Sequence, residues 1–491
     1  MKKIVLSLAL WVSMWANAQQ NTLLNGNFWK EKPSIETVKA EINKGSNPAD
    51  ANAGNHDVVS IAINNDAPLE VITYLMDQPG NSIDKQTHDG RLYIHWAANK
   101  GNVALVKYLL EKGSDIHATD DKEATPLSFA AGNGQLNIEI YEMLFNAGVK
   151  PTQRYKDGAT LLHLVSAFDK NSLVANYLQS KGLSLKDIDD KNRTVFDYAC
   201  RMGNVDILNN LLEKGVKPTN QALFFAAQGT RFASPKIETY QYLVEKINLN
   251  PLATNDNQET VLHLLVKKKD QREIVQYFLD KKIDVNAQDK NGNTVFANAM
   301  HSKDYGLVKS LVPYVKDINT ANRKGETALY SAFQNGTTHI AEMLMSIGAD
   351  KNIISKNGNL AFALIQSYKK PRPNENNKDF EDKIRVLDLS KVPFNETHNG
   401  ISLYHLAVVK DDLDLLKLLE DKNIDLNLQD DNGMTALHKA ASMTKNVEVL
   451  KYLVSIGSNK KIKTEMDETA YDLAMENELL QAQKADLSFL K

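Results

Sequence analysis

Apolar residues recur along the chain with the spacing of short amphipathic helices separated by polar turns. Val103–Leu110 places its apolar side chains at a period of 3.6 residues, which is typical of a half-buried helix. Glycine often follows such segments and accepts the left-handed conformation that closes a helix. The polar turns Asp289–Gly292 and Asp431–Gly433 predict tight hairpin tips. The pattern therefore predicts an all-α chain of paired helices without an extended sheet.

A short motif repeats in phase with these helices. It has a Thr, an apolar residue two positions later, often a His at the third position and Ala at the fifth and sixth, as in Thr125–Ala131. We call its first position the slot. Most of the slots are 32 to 35 residues apart, and a slot Thr can cap the helix that follows. The slots are Asp57, Leu92, Thr125, Thr160, Thr194, Gln221, Thr260, Thr294, Thr327, Asn359, Ser402, Thr435 and Thr469.

This motif and its period resemble those of the ankyrin repeat family, whose signature is T-P-L-H-x-A. The resemblance covers nearly the whole chain after its first residues. It implies an elongated, curved solenoid of about thirteen stacked repeats with atypical caps at both ends, roughly 110–130 Å long at the usual helix spacing. A single repeat cannot bury its own apolar face, so stacking of neighbours makes the core.

Residues 1–18 have the pattern of a signal peptide. Lys2 and Lys3 precede the apolar stretch Ile4–Trp15, and Ala16–Ala18 gives the small-x-small pattern of a cleavage site. The alternative is an ordinary buried N-terminal helix. Cleavage before Gln19 would remove two positive charges and change the formal net charge from −3 to −5. We expect an exported bacterial protein that is located in the periplasm, with secretion from the cell as the alternative. We also expect no membrane span after the signal peptide is removed.

The rest of the chain divides into a capping half-repeat at 19–56, a repeat array at 57–465 and a capping repeat at 466–491. The first cap contains a predicted helix at 34–42. A short turn before Gln221 is compensated by extra residues near 229–235. Residues 369–378 form an inserted loop with two prolines and no apolar side chain. This loop is either a tolerated surface insertion or a specific docking loop.

Candidate chemistry is sparse. The net charge of −3 gives no basic excess for nucleic acid, and no nucleotide-binding, hydrolase or metalloprotease motif is present. We therefore predict no enzyme, no cofactor and no metal site. Cys200 occupies a small-residue position, which favours a buried thiol over a redox role. The resemblance implies a structural role at the third motif position, where an imidazole bonds between adjacent turns. The histidines there are His95, His163, His263, His405 and His438.

The resemblance also assigns partner binding to the hairpin tips and to the concave face at the inner ends of the first helices, where two variable positions follow each Ala pair. We call these pairs the row. Before the last repeat the row contains five cations and no acid, which fits either a mixed-charge surface or a groove for an acidic partner segment. We expect Arg201, Lys267 and Lys268 to face solvent. The candidates in the row are Asn99, Lys100, Arg201, Lys267, Lys268, His301 and Lys410, and those at the tips are Arg91, Lys191, Arg193, Lys290, Arg323 and Lys324.

The predicted function is non-catalytic protein binding, as a scaffold or adaptor in an exported compartment. The partner is expected to be a protein, and the chain itself is expected to be a monomer. The alternative is an accessory factor that protects, or delivers a cofactor to, an exported enzyme, including one of oxidative stress. An enzyme and a toxin-like secreted effector are the remaining classes.

Overall fold

Each slot of the sequence marks the start of a helix. The computed structural model describes residues 21–372 and 375–491, so the predicted signal peptide at 1–18 lies outside the described residues. The slot residue is the N-cap at every position except Gln221, which is the first helical residue after the N-cap Asn220. The hydroxyl of Thr294 accepts from the N–H of Ala297 at 3.0 Å. A cap of this kind stabilises a helix by about 1 kcal/mol, and the predicted helix starts are confirmed.

The chain divides into two units, one reaching to Leu249 and one from Asn250 to Lys491. In the first unit, odd-numbered helices from α3 onward are the first helices of the repeats and even-numbered ones the second. Short 3-10 turns lie at Thr22–Leu24, His88–Gly90, Lys156–Gly158 and Cys200–Met202, and a π turn lies at Tyr242–Lys246. The α-helices are α1 (Gly26–Lys30), α2 (Ile35–Asn43), α3 (Val58–Asn64), α4 (Leu69–Met76), α5 (Tyr93–Lys100), α6 (Val103–Glu111), α7 (Pro126–Gly132), α8 (Ile138–Asn146), α9 (Leu161–Val165), α10 (Leu173–Ser180), α11 (Val195–Ala199), α12 (Val205–Glu213), α13 (Gln221–Gln228) and α14 (Ile237–Gln241).

The second unit continues the same alternation. Its 3-10 turns lie at Ala299–Ser302, Val312–Tyr314 and Ser488–Leu490. The α-helices are α15 (Val261–Leu265), α16 (Arg272–Asp280), α17 (Val295–Asn298), α18 (Tyr305–Leu311), α19 (Ala328–Asn335), α20 (Thr338–Ser346), α21 (Leu360–Ser367), α22 (Lys378–Leu389), α23 (Leu403–Val408), α24 (Leu413–Lys417), α25 (Ala436–Met443), α26 (Val447–Ser455), α27 (Ala470–Glu476) and α28 (Glu478–Ala482).

The hairpin tips join successive repeats through their main chains. Within the described ranges the extended backbone makes only isolated antiparallel bridges, such as that of Gln288 with Thr294. The N–H of Lys290 donates to the carbonyl of Asn257 at 2.8 Å, and that of Arg323 donates to Asn291 at 2.9 Å. These tips are therefore hydrogen-bonded to the tips before them, and the fold is all-α, as predicted.

Small residues let neighbouring first helices pack closely. Ala97 and Ala98 of α5, like Ala130 and Ala131 of α7, are fully buried, and these two helices contact each other along their length. Side chains larger than alanine at these positions would push the helices apart, because protein cores are close-packed. The core of each unit is thus a continuous layer between its stacked helices.

The irregular segments fall between the two helices of a repeat. Residues 229–236 lie between α13 and α14, and residues 368–377 lie between α21 and α22, where 373 and 374 are outside the described residues. At the N-terminus the predicted helix is present as α2, capped by Ser34, and Trp29 is buried with its Nε1–H donating to the carbonyl of Leu23 at 2.8 Å. At the C-terminus, Ala470, Ala474 and Leu480 are buried against the preceding repeat.

Candidate functional site

The row residues lie where the first helices end. Asn99 and Lys100 are the last two residues of α5, and Gln334 and Asn335 are the last two of α19. His301 lies in the 3-10 turn that follows α17. Because the Thr caps fix where each first helix begins, the row positions recur at the same point of successive repeats and form one edge of a groove.

In the first unit this groove is a cleft of about 770 Å³ with an apolar floor. Asn99 and Lys100 line its edge, and Ile61, Trp96 and Phe129 form its floor with less than a tenth of their surface exposed. These three residues occupy the fourth position after their slots. The cleft can thus accept apolar side chains at its base and polar or anionic groups at its rim.

In the second unit the groove consists of two adjoining clefts of about 450 and 720 Å³. Both are lined by His301, Gln334 and Asn335, and the smaller one is also lined by Lys267. The larger one is walled by the inserted segment and the start of α22. The structure therefore places Lys267 and His301, two of the predicted candidates, at one cleft.

The row lysines are already engaged with groups of the protein. Lys100 Nζ lies 2.9 Å from a carboxylate oxygen of Asp66, and Lys267 Nζ lies 3.6 Å from one of Glu259. Lys410 donates to the carbonyl of Gln366 at 2.9 Å, and burial lowers its pKa. Burial also lowers the pKa of Lys268. The local potential of the row is therefore weaker than a count of its cations indicates.

Arg201 is only partly exposed, so the prediction that it faces solvent is corrected. Its guanidinium carbon lies 5.3 Å from the ring centroid of Tyr198 and 4.7 Å from that of Phe225. Its Nε is buried and makes no hydrogen bond to the described residues. Burial lowers the pKa of Arg201. The cation is held by aromatic faces, so its first role is to pack one repeat against the next.

Two tip arginines also point into the protein. Arg91 is 5% exposed, and its guanidinium lies 2.7 Å from Asp120 and 3.2 Å from Asp89. Arg193 is 2.9 Å from Asp157 and in short contact with Asp189. Their charges are neutralised by aspartates of their own and neighbouring hairpins. This arrangement supports tip-to-tip packing and not an exposed basic tip.

The remaining tip candidates are exposed. Lys191 lies 3.2 Å from Asp157, and Lys290 donates to the side chain of Asn257. Arg323 and Lys324 extend from the tip before α19, and their side chains make no ion pair with any residue of the described ranges. Among the predicted tip cations, these two are the ones whose charge remains fully available to a partner.

Four of the five motif histidines, His95, His263, His405 and His438, bond to the next repeat through Nε2, as the resemblance implies. In His163, Nε2 is buried and makes no hydrogen bond to the described residues. In His263 and His405, Nδ1 accepts from the slot residue, and Nε2–H donates to the carbonyl of Asn293 at 3.3 Å and of Met434 at 3.0 Å. Each bond joins one repeat to the next. Within the described ranges no group of His, Cys, Asp and Glu has metal-binding geometry. Cys200 is buried, as predicted, and its thiol lies 3.4 Å from the carbonyl of Phe196.

Three residues of the larger cleft in the second unit were not predicted. Lys383, 5% exposed, donates to the carbonyls of Phe333 and Gly336 at 3.2 and 2.7 Å, which caps the end of α19. Asp379 lies 3.5 Å from Lys383, and Lys303 lines the same cleft. Lys383 and Asp379 stand four residues apart in α22. This spacing, visible in the sequence, is typical of an ion pair on one face of a helix.

Comparison with known proteins agrees with this geometry. The family model described as "Ankyrin repeats (3 copies)" matches residues 59–155, 137–222 and 262–355, and the model described as "Ankyrin repeats (many copies)" matches residues 404–454. Together these matches cover more than half of the chain. Among the described residues, no helix has the length and apolar character needed to cross a bilayer.

Several curated proteins are similar over part of this chain. Human transient receptor potential cation channel subfamily A member 1 is 26% identical over 283 residues, which are 54% of this chain and 25% of the channel. Alpha-latroinsectotoxin-Lt1a of Latrodectus tredecimguttatus is 25% identical over 304 residues, 58% of this chain and 21% of the toxin. The chicken nuclear factor NF-kappa-B p105 subunit is 28% identical over 192 residues, 38% of this chain and 18% of that subunit.

The chain spans a quarter or less of the length of these three relatives, so the likeness concerns the repeats and not the whole proteins. The slot caps, the histidine bonds between repeats and the matches to the repeat models agree along both units. The chain belongs to the ankyrin repeat family.

Proposed function

We propose that this chain is a non-catalytic scaffold that binds an extended, acidic segment of a partner protein along its row and groove floor. Ankyrin repeats imply protein–protein interaction. We also propose that the protein acts in an exported compartment, the periplasm first, because its first residues have the pattern of a signal peptide.

One observation carries the proposal. Row positions predicted from the motif line clefts of hundreds of cubic ångströms in both units, with Asn99 and Lys100 in one and Lys267 and His301 in the other. Side chains of several repeats line each of these clefts. A partner segment lying there would contact successive repeats at regular intervals.

Charge in the second unit favours an acidic segment. Lys303 and Lys369 line the larger cleft with exposed side chains, and Lys267 lines the smaller. The acid Glu326 also lines the smaller cleft, but its two oxygens accept from the side-chain amides of Asn322 and Asn357, at 2.8 and 2.7 Å. The rim cations therefore act on a partner mainly through association rate and salt dependence.

Charge reversal tests the surface. The double variant Lys267→Glu, Lys303→Glu should bind a fluorescein-labelled peptide of alternating glutamate and alanine more weakly than the native chain does, with the largest difference at low salt. The matched control is Lys417→Glu, Lys451→Glu, which places the same change on the second helices α24 and α26. Equal binding by both variants would show that the partner uses another surface.

Export has its own test. When the full chain is expressed in a bacterial host, the protein recovered from the periplasmic fraction should begin at Gln19. Recovery of the uncleaved chain from the cytoplasm alone would contradict the proposal. The accessory-factor alternative uses the same surface and predicts that the natural partner is itself an exported enzyme.

A further inference from the structure

The residue at the fourth position of the motif changes in chemistry along the chain. At the fourth position after the slot, seven successive repeats carry large apolar or aromatic residues, and the next three carry small or polar ones. The first set is Ile61, Trp96, Phe129, Leu164, Tyr198, Phe225 and Leu264, and the second is Asn298, Ser331 and Ala363. The smaller cleft of the second unit lies over Asn298 and Ser331. The short side chains at this position thus leave room for the smaller cleft, and the carboxamide of Asn298 lines it.

The Asn298 side chain has no hydrogen-bond partner in the described residues. It is 5% exposed, and its Nδ2 is buried without an acceptor. The imidazole Nδ1–H of His301 donates to the main-chain carbonyl of Asn298 at 3.2 Å, so only the backbone of this residue is engaged. A buried amide donor without a partner destabilises the free protein, and natural cores rarely contain one.

The cleft beside Asn298 is lined mostly by polar residues, and its acid, Glu326, accepts from the side-chain amides of Asn322 and Asn357. Because Nδ1 of His301 is the donor, Nε2 of the neutral ring is an acceptor, and burial with the nearby Lys267 lowers the pKa of His301. Ser331 and Gln334 line the same cleft. Ala297 stands where other repeats have a motif histidine, which widens the cleft beside Asn298.

We infer that the carboxamide of Asn298 makes a two-point hydrogen-bond contact with a main-chain peptide group of the partner segment. This inference rests on the proposed function and names the chemistry of one contact within it. A carboxamide presents a donor and an acceptor side by side, and a peptide group presents the complementary pair. A carboxylate offers acceptors only and would leave the Asn298 oxygen unpaired. Main-chain recognition at Asn298 would hold the partner segment extended, while the rim lysines would favour segments with acidic side chains.

The test separates peptide groups from charge. Two probes are compared by fluorescence anisotropy: the labelled glutamate–alanine peptide, and labelled polyacrylate of similar length, which has carboxylates but no peptide group. Asn298→Leu, a substitution of similar volume, should weaken peptide binding about five- to tenfold and change polyacrylate binding less than about twofold. Lys267→Glu should weaken both. Asn352→Leu, the same substitution at an exposed position outside the clefts, should change neither.

A second measurement concerns the free protein. An apolar residue of similar shape removes the unpaired donor, so Asn298→Leu should unfold at the same temperature as the native chain or higher. A lower unfolding temperature would show that the carboxamide is structural, and the inference would be wrong. Equal peptide binding by the native chain and Asn298→Leu, or equal losses with both probes, would also overturn the inference and leave the proposed function standing. If neither probe binds the native chain, both proposals fail.

Discussion

Thr160 and His163 are hydrogen-bonded to each other across the first turn of α9. The main-chain N–H and the hydroxyl of Thr160 both approach Nδ1 of the imidazole, at 3.2 and 2.9 Å. Nδ1 must therefore accept, so the proton of the neutral ring is on Nε2. Burial, above all, lowers the pKa of His163 to about 4, and a proton on Nδ1 would face the two donors of Thr160.

This contact predicts acid sensitivity. The pKa of His163 in the folded chain, about 4, lies below its usual value of 6.5, so its contribution to stability is complete above pH 6.5 and is lost as pH falls towards 4. The loss amounts to at most ~3 kcal/mol. His163→Gln keeps an N-cap partner for Thr160 but does not titrate. The unfolding free energy of His163→Gln, measured with urea, should therefore fall less between pH 7 and pH 4 than that of the native chain. Parallel curves would contradict this assignment.

A glycine at a hairpin tip should resist substitution. Gly433 has φ +70°, and a Cβ there would lie 2.7 Å from the main-chain nitrogen of Glu465 in the next tip. Gly433→Ala should destabilise the fold by ~1–3 kcal/mol, seen as a lower thermal unfolding midpoint. Gly132, in helix α7, is the matched control because a Cβ there meets no atom within 4 Å. Gly132→Ala should leave the midpoint unchanged or raise it.

Arg201 and Lys267 should respond differently to charge reversal, although both are row cations. Arg201→Glu would place a carboxylate against two aromatic faces and should lower the unfolding free energy by ~1–3 kcal/mol. Arg201→Met keeps the volume and should cost less. Lys267→Glu should change stability by less than ~1 kcal/mol, because it breaks only a 3.6 Å surface pair with Glu259. Equal effects of Arg201→Glu and Lys267→Glu on thermal unfolding would argue against the packing of Arg201 on the two rings.

The last repeat should protect the one before it. Truncation after Glu465 removes α27 and α28 and uncovers the buried Ala440 and Ala441 of α25. An uncovered apolar face associates with other copies, because a terminal repeat has only one neighbour. The truncated chain should therefore elute as aggregates in size-exclusion chromatography with light scattering. A monomer of native stability would show that residues 466–491 are not a cap.

Much of this fold could be predicted because its rules are local. The slot Thr caps its own helix, and His263 and His405, at the third position, donate to carbonyls 30 and 29 residues later, in the next repeat. Whether a charged side chain points to solvent or into the protein could not be predicted in this way. Arg91 pairs with Asp120 of the next hairpin, five residues before its slot, and the motif does not show which tip arginine turns towards such an aspartate. The polar floor at Asn298 could have been predicted from the fourth motif position, but the missing hydrogen bond required coordinates.

The placement of the two irregular segments bears on how the array tolerates changes of length. Histidines such as His405 donate to a carbonyl at the next hairpin, and tips such as that of Lys290 donate to the tip before them, so both links cross the hairpin side of a repeat. The connection between the two helices of a repeat carries none of these links. Residues added there, as at 229–236 and 368–377, leave the register intact, and a duplicated repeat brings its own donor and acceptor. The array can therefore grow by copying whole repeats and diversify at these connections, while the hairpin side fixes the register.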